Sequence, residues 1–359
     1  MLGPVVARSD RKQTKSAEMN VAGPPLPPQP FQFRGEFLDL LDQRALPTRQ
    51  IWISCRNAAK VHHAIRKMAV RGAPVIGTVA AYGLYLEAKR LAAASRLTWN
   101  RLLQVADFLK SARPTAVNLA WAVDRALSAL QGKNSATWVE TLEVEADRQA
   151  QENVRWTLSI ARFGASLIPM EATVLTICNT GPLATGGYGT ALGAVLYAHW
   201  EQKKPQVFAC ETRPYLQGAR LTTWELQQQN VPVTLITDNA AAWTMERKQI
   251  SLVLVGADRI ACNGDTANKV GTLGLAILSR HYGIPFYVVA PLSSFDFRCE
   301  TGATIPVEER DPQEVLYCGR KRIAPDGVSV FNPSFDVTPA AFITGYVTEQ
   351  GLMVPPFRS

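Results

Sequence analysis

The chain has 359 residues, of which 47% are hydrophobic and 19% charged, as is typical of a globular protein with room for two domains. Its formal net charge of +8 is spread over short basic segments without interleaved aromatic residues, so no nucleic-acid partner is expected. No apolar run has the length of a transmembrane helix, so no membrane partner is expected either. An active site for an anionic substrate would use part of the positive surplus.

The cysteines and histidines give no metal signature. None of the six cysteines forms a C-x-x-C pair, and the four histidines do not have the spacings of metal ligands. The sequence therefore predicts no metal site and no disulfide framework. Such cysteine usage suits a reducing compartment.

Residues 1–30 are predicted to form a disordered, Pro-rich tail, because prolines crowd its end and its basic segment has little apolar content. The tail lacks the apolar region of a secretory signal. A transit peptide is disfavoured by the acidic residues Asp10 and Glu18.

Residues 31–168 are predicted to form a mainly helical N-terminal domain. A short strand is expected at residues 50–54. Helices are expected from residue 57 or 58 up to Arg71 and over residues 75–94, 101–109, 116–130 and 138–167. Arg71 and the free N–H groups of Gly72 and Ala73 would then lie at a helix N-terminus. There they either bind a phosphate or form an ordinary turn between two helices.

Residues 169–359 are predicted to form an α/β domain. Nearly continuous hydrophobic runs alternate with segments long enough for one helix each, which indicates a parallel sheet covered on both faces. The expected strands are residues 173–178, 206–211, 232–238, 252–258 and 285–291. The first run opens into a glycine-rich loop between Gly181 and Gly189. Ligands of such sheets bind at the carboxyl ends of the strands.

Two residues of types that can take part in catalysis lie at the ends of predicted strands. Cys178 ends the first run, where backbone dipoles and cationic groups would make its thiol reactive, although most buried cysteines are inert. Asp258 ends the fourth run. It either caps a neighbouring helix or works as an acid in the crevice, where burial would raise its pKa.

Further polar groups lie near the same ends. Gln217 lies between Arg213 and Arg220, which either contact a phosphate or form structural pairs. Asn268 and Lys269 directly precede the next expected helix. A lysine at a helix N-terminus is unfavourable unless an anion binds there, so ligand contact is favoured. No Walker A motif and no dinucleotide fingerprint is present, which argues against nucleotide hydrolysis and nicotinamide chemistry.

Several stretches together carry a family resemblance. They are RGAPVIG (71–77), RPTAVNL (113–119), CNTG (178–181), ETRP (211–214), GADRIA (256–261), NGDTANK (263–269), IPVEER (305–310) and NPSFDVTP (332–339). In matching order over about residues 35–350, they resemble the methylthioribose-1-phosphate isomerases. That family belongs to a superfamily that includes the regulatory subunits of translation initiation factor 2B.

The resemblance implies a smaller, mainly helical N-terminal domain, a Rossmann-like C-terminal domain and a cytoplasmic homodimer. It implies conversion of 5-methylthioribose 1-phosphate to 5-methylthioribulose 1-phosphate in methionine salvage, without a metal or a redox cofactor. The matching motifs imply that Asp258 is the proton donor and that Cys178 stabilises the transition state or transfers a proton. The matching substrate-binding positions are Arg71, Gly72, Ala73, Arg113, Gln217, Asn268 and Lys269.

The chain departs from the family pattern at three positions. Members often carry His, Met and Ala where this chain has Ile177, Ala240 and Cys262. Two alternative functions are a ribose-1,5-bisphosphate isomerase and a non-catalytic regulatory subunit. A further basic cluster at the methylthio end would support the first, and loss of Cys178 or Asp258 would favour the second. Both residues are present, so activity is expected.

Overall fold

The computed structural model describes residues 23–113 and 117–357. Predictions for residues 1–22 of the tail and for residues 114–116 lie outside the described residues. The helices are α1 (Ala58–Arg66), α2 (Ala73–Ala93), α3 (Trp99–Lys110), α4 (Val117–Ser128), α5 (Trp138–Ser166), α6 (Pro182–Thr185), α7 (Ala191–Trp200), α8 (Thr223–Gln228), α9 (Ala241–Arg247), α10 (Thr272–Tyr282) and α11 (Gln313–Leu316). The strands are β1 (Phe31–Phe33), β2 (Leu38–Leu41), β3 (Trp52–Cys55), β4 (Thr173–Thr176), β5 (Gln206–Cys210), β6 (Val233–Ile236), β7 (Leu252–Val255), β8 (Arg259–Ala261), β9 (Thr266–Lys269), β10 (Phe286–Val289), β11 (Phe295–Asp296), β12 (Tyr317–Cys318), β13 (Lys321–Arg322), β14 (Phe335–Thr338), β15 (Gly345–Thr348) and β16 (Gly351–Met353).

The first half of the chain is mainly helical, as predicted. Helix α2 is buried along almost its whole length among the other helices, with Val79, Leu84 and Tyr85 in the core. Strands β1, β2 and β3 form a small antiparallel sheet, of which the sequence indicated only the last strand. The first two strands are too short to show a clear period. Among the described helices, none is both long and apolar enough to cross a membrane.

The second half is built on a sheet whose described strands have the order β16-β15-β10-β7-β4-β5-β6. All five predicted strands belong to it and are parallel, which confirms the α/β prediction. Side chains alternate between its faces: Val174 packs with α5 and α7, whereas its neighbour Leu175 packs with α9 and α10. Both faces are therefore covered, as the hydrophobic runs indicated. Strands β15 and β16, which extend the sheet beyond β10, were not predicted.

A second sheet, of order β11-β8-β9-β14, accompanies the large one. The prediction that Lys269 directly precedes a helix is wrong, because Lys269 ends strand β9 of this second sheet. Helix α10 begins at Thr272, because Asp336 of β14 accepts the N–H groups of Gly271 and Leu273 at 2.6 and 3.0 Å. The cap therefore comes from a strand more than sixty residues away.

Helix α5 joins the two halves. Leu142 and Ala146, near its start, pack into the first core, whereas Ile160 and Ala161 pack into the second. The predicted division at residue 168 therefore stays a prediction, since one helix contributes to both cores. The described end of the predicted tail also contacts the second half, because the Tyr188 hydroxyl donates to the carbonyl of Pro24 at 2.8 Å.

Candidate active site

A cleft lies at the carboxyl ends of β4, β7 and β10, where the two halves of the chain meet. This is the edge at which open parallel sheets bind ligands. The structure brings together in its lining all the residues that the sequence singled out as catalytic or substrate-binding. They are Arg71, Gly72, Ala73, Arg113, Cys178, Gln217, Asp258, Asn268 and Lys269.

The first half contributes the N-terminus of α2. Gly72 precedes this helix with a φ of 116°, and a Cβ there would come within 2.2 Å of the carbonyl oxygen of Ala184. Only glycine fits, so the end of α2 can approach α6 closely. Within the described part of the chain no side chain caps α2, and its first N–H groups are available to an anion.

Cys178 lies in a turn two residues beyond the end of β4, with a φ of 67°, a region that residues other than glycine seldom adopt. Its N–H donates to Thr212 Oγ1 at 2.8 Å, and its carbonyl accepts from Thr222 Oγ1 at 2.6 Å. Burial raises the pKa of the Cys178 thiol, whereas Lys269 and Arg71 act in the opposite direction. The turn therefore holds a largely desolvated thiol beside two cations.

Asp258 follows β7, and its N–H donates to the carbonyl of Ala267 at 3.0 Å. Burial raises the pKa of its carboxyl group, and the positive charges of Lys269, Arg113 and Arg71 only oppose this shift. A raised pKa keeps a proton on the carboxyl group closer to neutral pH. Asp258 therefore has the property of a general acid.

Lys269 is held at the end of β9. Its Nζ donates to the carbonyl of Ser334 at 2.9 Å and lies 4.6 Å from the centre of the Phe335 ring. Burial lowers the pKa of its amine, although Cys178 and Asp258 oppose this shift. The neighbouring Asn268 is buried.

Several polar atoms in the cleft wall are buried without a hydrogen-bond partner in the described chain: Nε of Arg71, Nε of Arg113 and Oε1 of Gln217. Buried polar groups are normally paired, so these donors and this acceptor fit a polar ligand. Two donors carry positive charge, which suits an anion. Among the described residues, no cluster of His, Cys, Asp and Glu has the arrangement of a metal site.

The two arginines that flank Gln217 have structural partners. Arg213 donates to the carbonyls of Val315 and Tyr317 at 3.0 and 3.3 Å. Arg220 donates to the carbonyl of Gln43 at 3.1 Å and so ties the second half to the first. Of the two alternatives that the sequence left open, the structural one holds for both side chains.

The departure at Ile177 lies outside the cleft. Its side chain is buried in the core of the sheet, and its Cδ1 would be 2.9 Å from a Cβ on Gly271. The substitution therefore changes packing beneath the turn of Cys178 and not the cleft wall.

Sequence reasoning missed Glu225, on α8. Its Oε1 accepts the N–H of Leu183 at 2.7 Å, and its Oε2 accepts from the side-chain amide of Asn179. Asn179 in turn accepts from both Nη atoms of Arg71. No short motif marks Glu225, because its partners are distant in sequence.

The fold and the cleft define an α/β protein with an acid, a thiol and a cationic anion-binding wall at the carboxyl edge of a parallel sheet. The chain belongs to the initiation factor 2 subunit family, whose model matches residues 69–355. It is 50% identical over 324 residues to the methylthioribose-1-phosphate isomerase of Desulforamulus reducens, covering 89% of this chain and 94% of that protein.

Two solved structures are similar over most of their length. The 5-methylthioribose 1-phosphate isomerase of Pyrococcus horikoshii matches with a TM-score of 0.83 and 41% identity, covering 92% of this chain and 93% of that one. A chain described as translation initiation factor eIF-2B subunit delta, from A. fulgidus, matches with a TM-score of 0.78 and 41% identity, covering 91% and 96%.

Proposed function

We propose that the chain is an aldose–ketose isomerase that converts 5-methylthioribose 1-phosphate to 5-methylthioribulose 1-phosphate in methionine salvage. The observation that carries the proposal is the presence of Asp258 and Cys178 in one cleft with three cationic side chains. The relative that is 50% identical over 324 residues bears the name of this activity.

Asp258 supplies the first proton. The anomeric oxygen of the substrate is phosphorylated, so the ring cannot open as it does in a free sugar. The ring oxygen must therefore be protonated as its bond to C1 breaks, and a neutral carboxyl group can donate that proton. The raised pKa of Asp258 supports this role.

Hydrogen then moves from C2 to C1, either as a hydride or through an enol intermediate. In both routes the C2 hydroxyl loses its proton as the ketone forms, so one proton enters at the ring oxygen and one leaves. Cys178 assists by transferring a proton or by stabilising the transition state. Its burial supports either route, since exclusion of water protects a reactive intermediate.

The phosphate remains attached throughout and keeps the sugar in place. Arg71, Arg113 and Lys269 would bind it together with the first N–H groups of α2. The side chains of Gln217 and Asn268 would orient the sugar hydroxyls. Such positioning lowers the activation free energy, because the reacting groups are already held in the reactive arrangement.

The test is a phosphorus NMR time course with purified protein and 5-methylthioribose 1-phosphate, run beside Asp258→Asn. We expect the wild type to form the ketose 1-phosphate and the variant to be slower by about 10³-fold, because an amide cannot donate the proton as an acid does. Asp265→Asn is the control, since Asp265 braces backbone N–H groups outside the cleft. It should retain activity within about threefold.

No conversion by the wild type would refute the proposal, and ribose 1,5-bisphosphate would be the next substrate. The A. fulgidus match is the observation that favours a second candidate, a regulatory subunit that binds a sugar phosphate or a translation factor. Failure with both substrates would favour that candidate.

We infer further that the enzyme is a cytoplasmic homodimer. The family resemblance supports the dimer, and the free state of all six cysteines is compatible with a reducing compartment. Light scattering of the purified chain would test the dimer directly.

A further inference from the structure

We infer that Glu225 is a positioning residue, which fixes Arg71 for phosphate binding through the side-chain amide of Asn179. Glu225 is 5% exposed and lies behind Asn179, outside the cleft lining. The inference has two parts, the orientation of one amide and the charge balance of one buried arginine.

The amide of Asn179 can be oriented in only one way. Its Nδ2 donates to Glu225 Oε2 and to Thr222 Oγ1, and its Oδ1 accepts from Nη2 of Arg71. A carboxylate only accepts hydrogen bonds and a guanidinium only donates them. Reversing the amide would place donor against donor on one side and acceptor against acceptor on the other.

Both oxygens of Glu225 accept hydrogen bonds. Its second oxygen accepts the N–H of Leu183 at 2.7 Å. A Cβ on Gly181 would lie 2.4 Å from Glu225 Oε2, so the chain leaves room for this carboxylate only by having glycine there. The carboxylate is thus built into the turn that carries Cys178 and Asn179.

The held orientation matters for Arg71. Asn179 accepts from both of its terminal nitrogens, through Oδ1 and through its backbone carbonyl at 3.1 Å. The planar guanidinium is therefore fixed by one residue, and its buried Nε has no partner in the described chain. Glu225 also supplies a negative charge that favours the ionised form of the buried Arg71. Arg71, held by Asn179, can therefore bind an anion without reorganising.

The decisive variant is Glu225→Gln. The carboxylate of Glu225 accepts from two donors, the N–H of Leu183 and the amide of Asn179, whereas glutamine has only one acceptor oxygen. In the variant, either the N–H of Leu183 loses its partner, or the amide of Asn179 turns and presents Nδ2 to Arg71. We expect the Kd for inorganic phosphate, measured by calorimetry at pH 8, where the Glu225 carboxyl group is ionised, to rise about tenfold. This part of the test does not need the enzyme to be active. Because the inference also rests on the proposed function, KM for 5-methylthioribose 1-phosphate should rise by a similar factor, with kcat changed less than about threefold.

A double-mutant cycle separates positioning from general damage. In an Arg71→Lys background, Glu225→Gln should raise the phosphate Kd by less than about twofold, because the group on which it acts is already lost. Asn179→Ala should weaken phosphate binding as Glu225→Gln does. It replaces Glu225→Gln in the test if that variant folds poorly. The matched control is Glu145→Gln, which removes a buried glutamate paired with Arg125 and Arg148 outside the cleft. It should leave the phosphate Kd within about twofold of the wild-type value.

Three results would overturn the inference. One is an unchanged phosphate Kd in folded Glu225→Gln, and another is an equal effect of that change in the wild-type and Arg71→Lys backgrounds. The third is a wild-type chain that binds no phosphate. If phosphate binding behaves as expected but no isomerisation occurs, the proposed function fails and the role of Glu225 stands.

Discussion

Two neighbouring strands of the large sheet lead to a cysteine, and the two cysteines have different surroundings. Cys178 follows β4 and Cys210 ends β5. In each turn one residue has a left-handed backbone, with a φ of 67° at Cys178 and 66° at Thr212. Burial raises the pKa of both thiols, that of Cys210 to about 12. Position at a strand end and the direction of the pKa shift therefore do not distinguish them.

The difference lies in the charges that reach each thiol. Asp238 and Glu211 raise the pKa of Cys210 further, whereas Lys269 and Arg71 oppose the rise at Cys178. One of these cations comes from β9 and the other from the turn before α2, in the other half of the chain. A cysteine at a strand end becomes part of a site only where distant elements bring charge to it.

The largest expected difference between Cys178 and Cys210 is in their effect on activity. Cys178→Ala should lower kcat by about 10²–10³-fold, because it removes the group proposed to assist hydrogen transfer. Cys210→Ala should leave kcat within about threefold, since Cys210 packs in the core away from the cleft. Both rates would be measured by the phosphorus NMR time course. Equal losses in the two variants would contradict the assignment of a chemical role to Cys178.

A smaller effect concerns the reactivity of the thiol. Lys269→Met keeps the side-chain length but removes the charge that lowers the pKa of Cys178. Alkylation of Cys178 by iodoacetamide at pH 8 should slow by about fivefold. Mass spectrometry would follow the peptide of Cys178, with that of the exposed Cys318 as an internal reference.

The control for this variant is Lys203→Met. Lys203 also donates to a backbone carbonyl, that of Ala165 at 2.8 Å, but lies outside the cleft. Its loss should leave the alkylation rate of Cys178 unchanged. A rate that does not respond to Lys269→Met would mean that this lysine does not influence the thiol.

The same contrast explains what could be predicted from the sequence. The runs that form β4 and β7 were recognised because both faces of a covered sheet need apolar side chains, and Cys178 and Asp258 were found at their ends. Strand β9 was missed because Asn268 and Lys269 are polar and its pairing with β14 spans more than sixty residues. Glu225 was missed because it has no local pattern, and its partners meet it only in the folded chain.

A further expected effect concerns stability, and it arises from the carboxylates that brace the two turns. Asp238 accepts the N–H groups of Thr212 and Arg213, both at 2.7 Å, beside Cys210. Glu225 braces the turn of Cys178, and burial raises its pKa to about 7. An unfolded glutamate has a pKa of about 4.3. Between these values the folded chain retains a proton that the unfolded chain has released.

The free energy of unfolding should therefore fall as pH rises through this interval. The contribution of Glu225 is fully present below about pH 4.3 and is lost as pH rises through about 7. Glu225→Gln cannot titrate, so the stability of the wild type relative to this variant should be greater at pH 5 than at pH 8. The expected change is on the order of 2–3 kcal/mol, measured by urea unfolding with equal m values as the control. Equal differences at both pH values would mean that Glu225 is ionised throughout, and the buried pair with Arg71 would then be maintained at a constant charge.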